Sequence, residues 1–162
     1  MAILLAAAGL AVAWPAAQPT AAAASAARAN EIDWQEWSPE KVALLTSQGK
    51  AVFVDFTAAW CVTCQVNKRV ALNNAAVVRA FAEREVVALR ADWTRHDPRI
   101  TATLAQLGRN AIPVYALYLP GESAPRLLPE VLTPNLVLDE ISRLPTTRPA
   151  TAITQRDPGA RP

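Results

Sequence analysis

Cys61 and Cys64 are the two cysteines of the chain, spaced C-x-x-C in the run Trp60-Cys61-Val62-Thr63-Cys64. Disulfide exchange needs a thiolate, an accessible sulfur and a second thiol that resolves the mixed disulfide. This spacing supplies both sulfurs. Cys61 follows an apolar run and stands at an expected helix N-terminus, where unpaired N–H groups and the helix dipole favour a negative sulfur. Cys64 falls one turn later, within reach of a mixed disulfide on Cys61. Cys61 is therefore the expected nucleophile and Cys64 the expected resolving thiol. A permanent small-loop disulfide or half of a metal site is the bland reading of the same spacing. A structural zinc site needs four ligands, and beyond the two cysteines the chain has the single His96. No metal and no cofactor is expected besides the redox pair itself.

Asp55 lies six positions before Cys61, inside the apolar run 51–56, AVFVDF. Buried there, its carboxyl has a raised pKa, which suits a group that takes a proton from Cys64 during exchange. At a solvent-facing strand end it would have no such part. Pro113 follows Ile112 at the start of another apolar run, where a residue without an N–H fits. For an X–Pro bond the default is trans. Trp60 is either a flat contact surface for a partner chain or half-buried packing. His96, between Arg95 and Asp97, reads as an ordinary surface histidine. Trp34, Trp37 and Trp93 read as packing residues, with Trp34 and Trp37 covering one edge of the core.

These residues must be held by the elements around them. Ser38-Pro39-Glu40 starts a helix: serine caps, proline fits the first turn and glutamate favours the dipole. Val42, Leu44 and Leu45 supply its apolar face, and Gly49 ends it. Residues 51–56 read as a buried strand, and a helix runs from Cys61 towards Val70 or Ala71. Asn73 or Asn74 caps a further helix to about Arg84. Residues 86–91 form a second strand, 93–98 a polar loop, and 99–107 a helix stopped at Gly108. Residues 113–119, PVYALYL, form a third strand ended by Pro120-Gly121, with a short fourth strand at 126–131. A last helix from Thr133 or Asn135 carries Leu136, Val137, Ile141 and Leu144 as apolar positions. Strands alternating with helices, and a late hairpin, give an α/β fold with a central mixed sheet flanked by helices.

The chain has 162 residues, enough for one domain with tails, and a formal net charge of +2. Its charges are mixed along the sequence, without the clustered basic face of a nucleic-acid binder. Arg84, Arg90 and Arg99 read as solvated surface charges. Residues 1–14, MAILLAAAGLAVAW, are apolar and uncharged. They are short of the ~20 residues of a full membrane span and lack the basic start of a secretory signal. They are either the end of a span or an atypical signal, and both readings export the globular domain. Residues 15–30 are an Ala/Pro spacer, 31–145 the globular domain, and 146–162 a Pro/Thr/Arg-rich tail expected to be disordered. A monomer is expected.

The stretch VDFTAAWCVTCQVNK, residues 54–68, resembles the thioredoxin superfamily active site, and Ile112-Pro113 resembles that superfamily's cis-proline. More narrowly, the WCVTC motif, the segment Arg90-Ala91-Asp92-Trp93-Thr94 and the segment Gly108-Arg109-Asn110-Ala111-Ile112-Pro113 resemble the C-terminal periplasmic domain of DsbD-type thiol:disulfide interchange proteins. The similarity spans about residues 33–144. It implies a thioredoxin-like fold, a nucleophile at Cys61, a resolving thiol at Cys64, a buried acid at Asp55 and a cis-proline at Pro113. It also implies a reductant on the periplasmic side of the bacterial inner membrane. Such a domain takes electrons from a membrane domain with its own cysteine pair. It passes them to periplasmic thioredoxin-like partners that keep isomerases or cytochrome c maturation proteins reduced.

The chain departs from the pattern in three places. It contains no cysteine-bearing membrane domain. It carries Arg90 where thioredoxins usually have a lysine paired with the buried acid. Val62-Thr63 is neither Gly-Pro nor Pro-His. A disulfide oxidase or isomerase is the nearest competing activity, although no histidine lies between the cysteines to stabilise a thiolate heavily. A Cu(I)-binding module, which would use two soft sulfurs, and a non-catalytic adaptor are the competing readings from other classes.

Overall fold

The computed structural model describes residues 31–144. The apolar segment 1–14, the spacer 15–30 and the tail 146–162 lie outside the described residues. Among the described residues no helix is long and apolar enough to cross a membrane.

The elements run β1 (Trp34–Glu36), α1 (Pro39–Ser47), β2 (Val52–Thr57), α2 (Val62–Asn67) with a π-helical extension (Lys68–Leu72), α3 (Ala75–Glu83), β3 (Val87–Asp92), α4 (Pro98–Gln106), β4 (Val114–Tyr118), β5 (Arg126–Leu128) and α5 (Pro134–Ser142). The strands form one sheet in the order β1-β3-β2-β4-β5. β1, β3 and β2 are parallel, whereas β4 pairs antiparallel with both β2 and β5. This is the α/β thioredoxin-like fold, with a five-stranded mixed sheet flanked by helices.

Local chemistry sets most boundaries. Ser38, Asn74, Asp97 and Thr133 each cap a helix by accepting a backbone N–H, and proline opens the first turn of α1, α4 and α5. Gly49 and Gly108, just past α1 and α4, take positive φ, a conformation that glycine adopts without steric cost.

The sheet divides the apolar side chains into two layers. Val52, Val54 and Phe56 of β2 face a layer with Trp37, Val42, Leu89, Ile100 and Leu104, under α1 and α4. Phe53 faces the other layer with Tyr115, Leu117, Phe81, Val137 and Ile141, under α3 and α5. The Phe53 ring stacks on Tyr115 at 6.1 Å and meets the Phe81 ring edge-on at 5.3 Å.

Three expectations need correction. β1 was not expected from the sequence, since a three-residue strand has no period to read. Its pairing with β3 places Trp34 on the Phe53 layer and Trp37 on the Phe56 layer. The two tryptophans therefore serve opposite faces of the sheet, as an odd spacing in an extended segment requires. Leu44, expected on the apolar face of α1, is 56% exposed, and Val42 is the buried anchor of that helix.

Leu144 shares a surface cleft with Lys50 and Ala51, and Glu31 shares another with Val86 and Val87. Both ends of the described chain thus lie beside the starting ends of β2 and β3. The cysteines follow the finishing end of β2.

Candidate active site

Cys61 and Cys64 are joined in a disulfide. Cys61 is the N-cap of α2: its Sγ accepts the Cys64 backbone N–H at 3.2 Å. Its own N–H donates to Ala58 O and its carbonyl accepts from Gln65, which fixes the turn out of β2. Cys64 is the more deeply buried of the two, at 3% exposure against 7% for Cys61. Ala58 and Ile112 pack against the pair. The Ile112–Pro113 peptide bond, just before β4, is cis.

The loop before Cys61 is clamped by the loop after β3. The Ala59 N–H donates to Thr94 Oγ1 at 2.9 Å, and the Trp60 indole N–H donates to Thr94 O at 3.2 Å. The Thr94 hydroxyl in turn donates to Asp92 Oδ1, as does the Thr94 N–H. These bonds hold the Asp92 carboxyl below the usual range. Trp60 is half exposed. His96 stacks on its ring at 5.7 Å and 15°, and meets Trp93 edge-on at 4.7 Å. His96 is exposed, as the sequence implied, yet it belongs to an aromatic shelf beside Cys61. Nothing in its polar sequence surroundings signals that stack.

Asp55 is 3% exposed, so it does not face solvent. Burial pushes its carboxyl up to about 6, against the opposing pull of Arg90 and then Lys68. Arg90 sits opposite Asp55 in the β2–β3 register, with Nε 3.6 Å from Oδ2. That separation makes a close ion pair rather than a hydrogen bond. The Arg90 guanidinium also lies 4.4 Å over the Trp34 ring. Arg90 is thus not a solvated surface charge. Arg84 likewise has a partner, donating to Leu144 O at 2.8 Å. On the other side Tyr115 is the register neighbour of Asp55 in β4, and burial together with the Asp55 charge raises its phenol pKa.

Asn67, which sequence reasoning passed over, is a buried polar residue on α2. Its amide donates to Tyr115 Oη at 3.0 Å and to Glu130 O at 2.6 Å, and its Oδ1 accepts the Leu132 N–H at 3.1 Å. It ties the cysteine-bearing helix to β4 and to the loop before α5. In the sequence it stands among other polar residues, Lys68 and Arg69, and nothing there marks it as buried.

A cysteine pair at the junction of a parallel strand and a helix, with a cis-proline segment against it and a buried acid on the strand, defines a thioredoxin-like redox centre. Residues 33–120 match the Thioredoxin-like family, more than half of the chain. The chain belongs to that family. The reduced C-terminal domain of DsbD from Neisseria meningitidis is similar at 18% identity, over 67% of this chain and 97% of that one, with a TM-score of 0.54. A thioredoxin from Thermus thermophilus is similar at 21% identity, over 69% and 85%, with a TM-score of 0.56. Trxlp from Edwardsiella tarda is similar at 20% identity, over 67% and 98%, with a TM-score of 0.52. At such identities these likenesses speak for the fold alone. No curated protein sequence matches the chain. The Cys61–Cys64 disulfide in this fold suggests thiol–disulfide exchange.

Proposed function

We propose that this domain is a protein-disulfide reductase that works outside the cytoplasm. In this reading Cys61 attacks the partner's disulfide, Cys64 resolves the mixed disulfide, and Asp55 accepts the Cys64 proton. Ile112-Pro113 and Trp60 border the sulfur and contact the partner's chain. The observation that carries the reading is the placement of Cys61 as the N-cap of α2, with the Cys64 N–H directed at its sulfur. That contact stabilises a thiolate once the disulfide is opened. Asp55, with its carboxyl at about 6, is mostly ionised at neutral pH and can take a proton.

Electrons would come from a membrane domain with its own cysteine pair and pass to periplasmic thioredoxin-like proteins, including those serving cytochrome c biogenesis. The domain would stand at the periplasmic side of the bacterial inner membrane. The apolar segment 1–14 and the spacer after it support that location. The likeness to a DsbD C-terminal domain is a further, fold-level support.

The reduction potential of the pair tests the direction, by equilibration against glutathione and dithiothreitol buffers. Thioredoxin stands at about −270 mV and the oxidant DsbA at about −120 mV. A value near or below roughly −220 mV is expected for a donor. A value above roughly −160 mV makes the domain an oxidase of its partners and removes the reductant reading.

A further inference from the structure

Asp55 contributes to a small cleft of about 160 Å³, as do Gln65, Lys68, Arg90 and Asp92. Asp55 Oδ1 and Arg90 Nη2 are buried and make no hydrogen bond within the described residues. The proposed reaction uses Asp55 and finds a cation for it in Arg90, but leaves Lys68 unexplained. Lys68 is half-buried. It follows Cys64 by four residues, which on a helix is the same face one turn on. It is also where α2 passes into π-helical winding, its carbonyl accepting the Asn73 N–H at 2.8 Å. Unlike its exposed neighbour Arg69, it contributes to the cleft that holds Asp55, and its charge acts on that carboxyl.

We propose that Lys68 is a positioning residue for exchange: its ammonium group, at the cleft that holds Asp55, sets the pH at which Asp55 takes the proton of Cys64. The inference rests on the function proposed above. The groups facing Asp55 are Arg90 and Asp92 from β3, Lys68 from the cysteine helix, Tyr115 from β4, and the cysteine pair. Arg90 and Lys68 are the cations among them, on opposite elements. Both favour the ionised carboxylate against its burial, Arg90 the more strongly. Lys68 alone of the two stands on the helical segment that continues from the cysteines.

In the step concerned, the Cys64 thiol gives its proton to an Asp55 oxygen and its sulfur attacks Cys61 Sγ. The Cys61–Cys64 bond forms as the bond between Cys61 and the partner's sulfur breaks. The partner leaves as a thiolate with the electron pair of the broken bond. Over the full exchange two thiols of this chain are oxidised and one partner disulfide is reduced. Asp55 then returns its proton to solvent by way of the cleft.

The test uses the full chain in two measurements. One is the ¹³C titration of the Asp55 carboxyl in the reduced chain. The other is the rate at which a preformed Cys61–glutathione mixed disulfide is resolved between pH 4.5 and 8.5, which isolates the step at Cys64. Lys68→Met should move the Asp55 titration, and the acid limb of the rate, up by about half a pH unit. Lys68→Glu should move both by about twice as much, and Lys68→Arg should restore the original values. An unmoved Asp55 titration in Lys68→Glu overturns the proposal. A chain that does not react with glutathione disulfide at any pH removes the proposed function instead, and the carboxyl titration still decides the action of Lys68 on Asp55.

Discussion

Arg90 stands directly across the β2–β3 ladder from Asp55, and its guanidinium is held at once by that carboxylate and by the face of Trp34. The cation is therefore fixed on two sides, in a plane a flexible ammonium does not share. Trp34 belongs to the edge strand β1, so the electrostatics of the buried acid depend on an element at the margin of the sheet.

Arg90→Met removes the stronger of the two cations that oppose the burial of Asp55. The acid limb of exchange should move up by about one pH unit, further than for Lys68→Met. Arg90→Lys should recover only part of it, because lysine does not reproduce the planar stacking on Trp34. Resolution rates of the Cys61–glutathione mixed disulfide across pH check both expectations. An Arg90→Met limb unchanged from the parent chain would mean that the ion pair has no part in tuning Asp55.

The raised Asp55 carboxyl also makes stability depend on pH. Between the unfolded value of 3.8 and the folded value of about 6 the folded chain binds the extra proton. Its contribution is therefore fully present below the unfolded value and is lost as pH rises through the folded one. The difference of roughly two units corresponds to about 3 kcal/mol. Asp55→Asn should stabilise the oxidised domain at pH 8 by up to about 3 kcal/mol, and by about half as much at pH 5. Urea midpoints at the two pH values measure this, and an equal effect at both would exclude the linkage. The same variant should slow exchange at neutral pH.

Cys64→Ser should leave a mixed disulfide trapped on Cys61, visible as a covalent adduct by mass spectrometry. Cys61→Ser should abolish exchange altogether. An adduct retained on Cys64 of the Cys61→Ser chain would reverse the assigned roles.

Asn67→Leu should cost about 2–4 kcal/mol, because the buried Leu132 N–H, the Tyr115 hydroxyl and the Glu130 carbonyl lose their partner together. Chemical denaturation reads the loss. A change below about 0.5 kcal/mol would mean that the three groups find other partners.

The elements that position the site were largely legible in the sequence because their ends carry local chemistry. Ser38, Asn74 and Thr133 cap helices wherever tertiary contacts leave the N–H groups free, and glycines follow α1 and α4. What escaped is what depends on pairing at long range. β1 exists because Trp34 and Glu36 register with Ala88 and Arg90, more than fifty residues away. Arg90 looked like surface because a lone arginine in VVALRA has no visible partner until β2 lies beside β3. The continuation of α2 past Asn67 was anticipated in length, but its π-helical winding was not, since nothing in the residue types of 68–72 distinguishes it from α-helical winding. Asp55 was conspicuous because a carboxylate in an apolar strand is costly without a reason.

The two ends of the described chain emerge beside the starting ends of β2 and β3, whereas Cys61 lies past the finishing end of β2. A six-residue strand is about 20 Å long, so the sulfur is carried to the far pole of the domain from any attachment. An attachment made at residue 31 would therefore leave the cysteine pole clear, and the length of the linker used would set how far the sulfur could range. Fusions at either end would leave the surface around Cys61 open, whereas an insertion in the 92–97 turn would stand beside it, where Thr94 clamps Ala59 and Trp60.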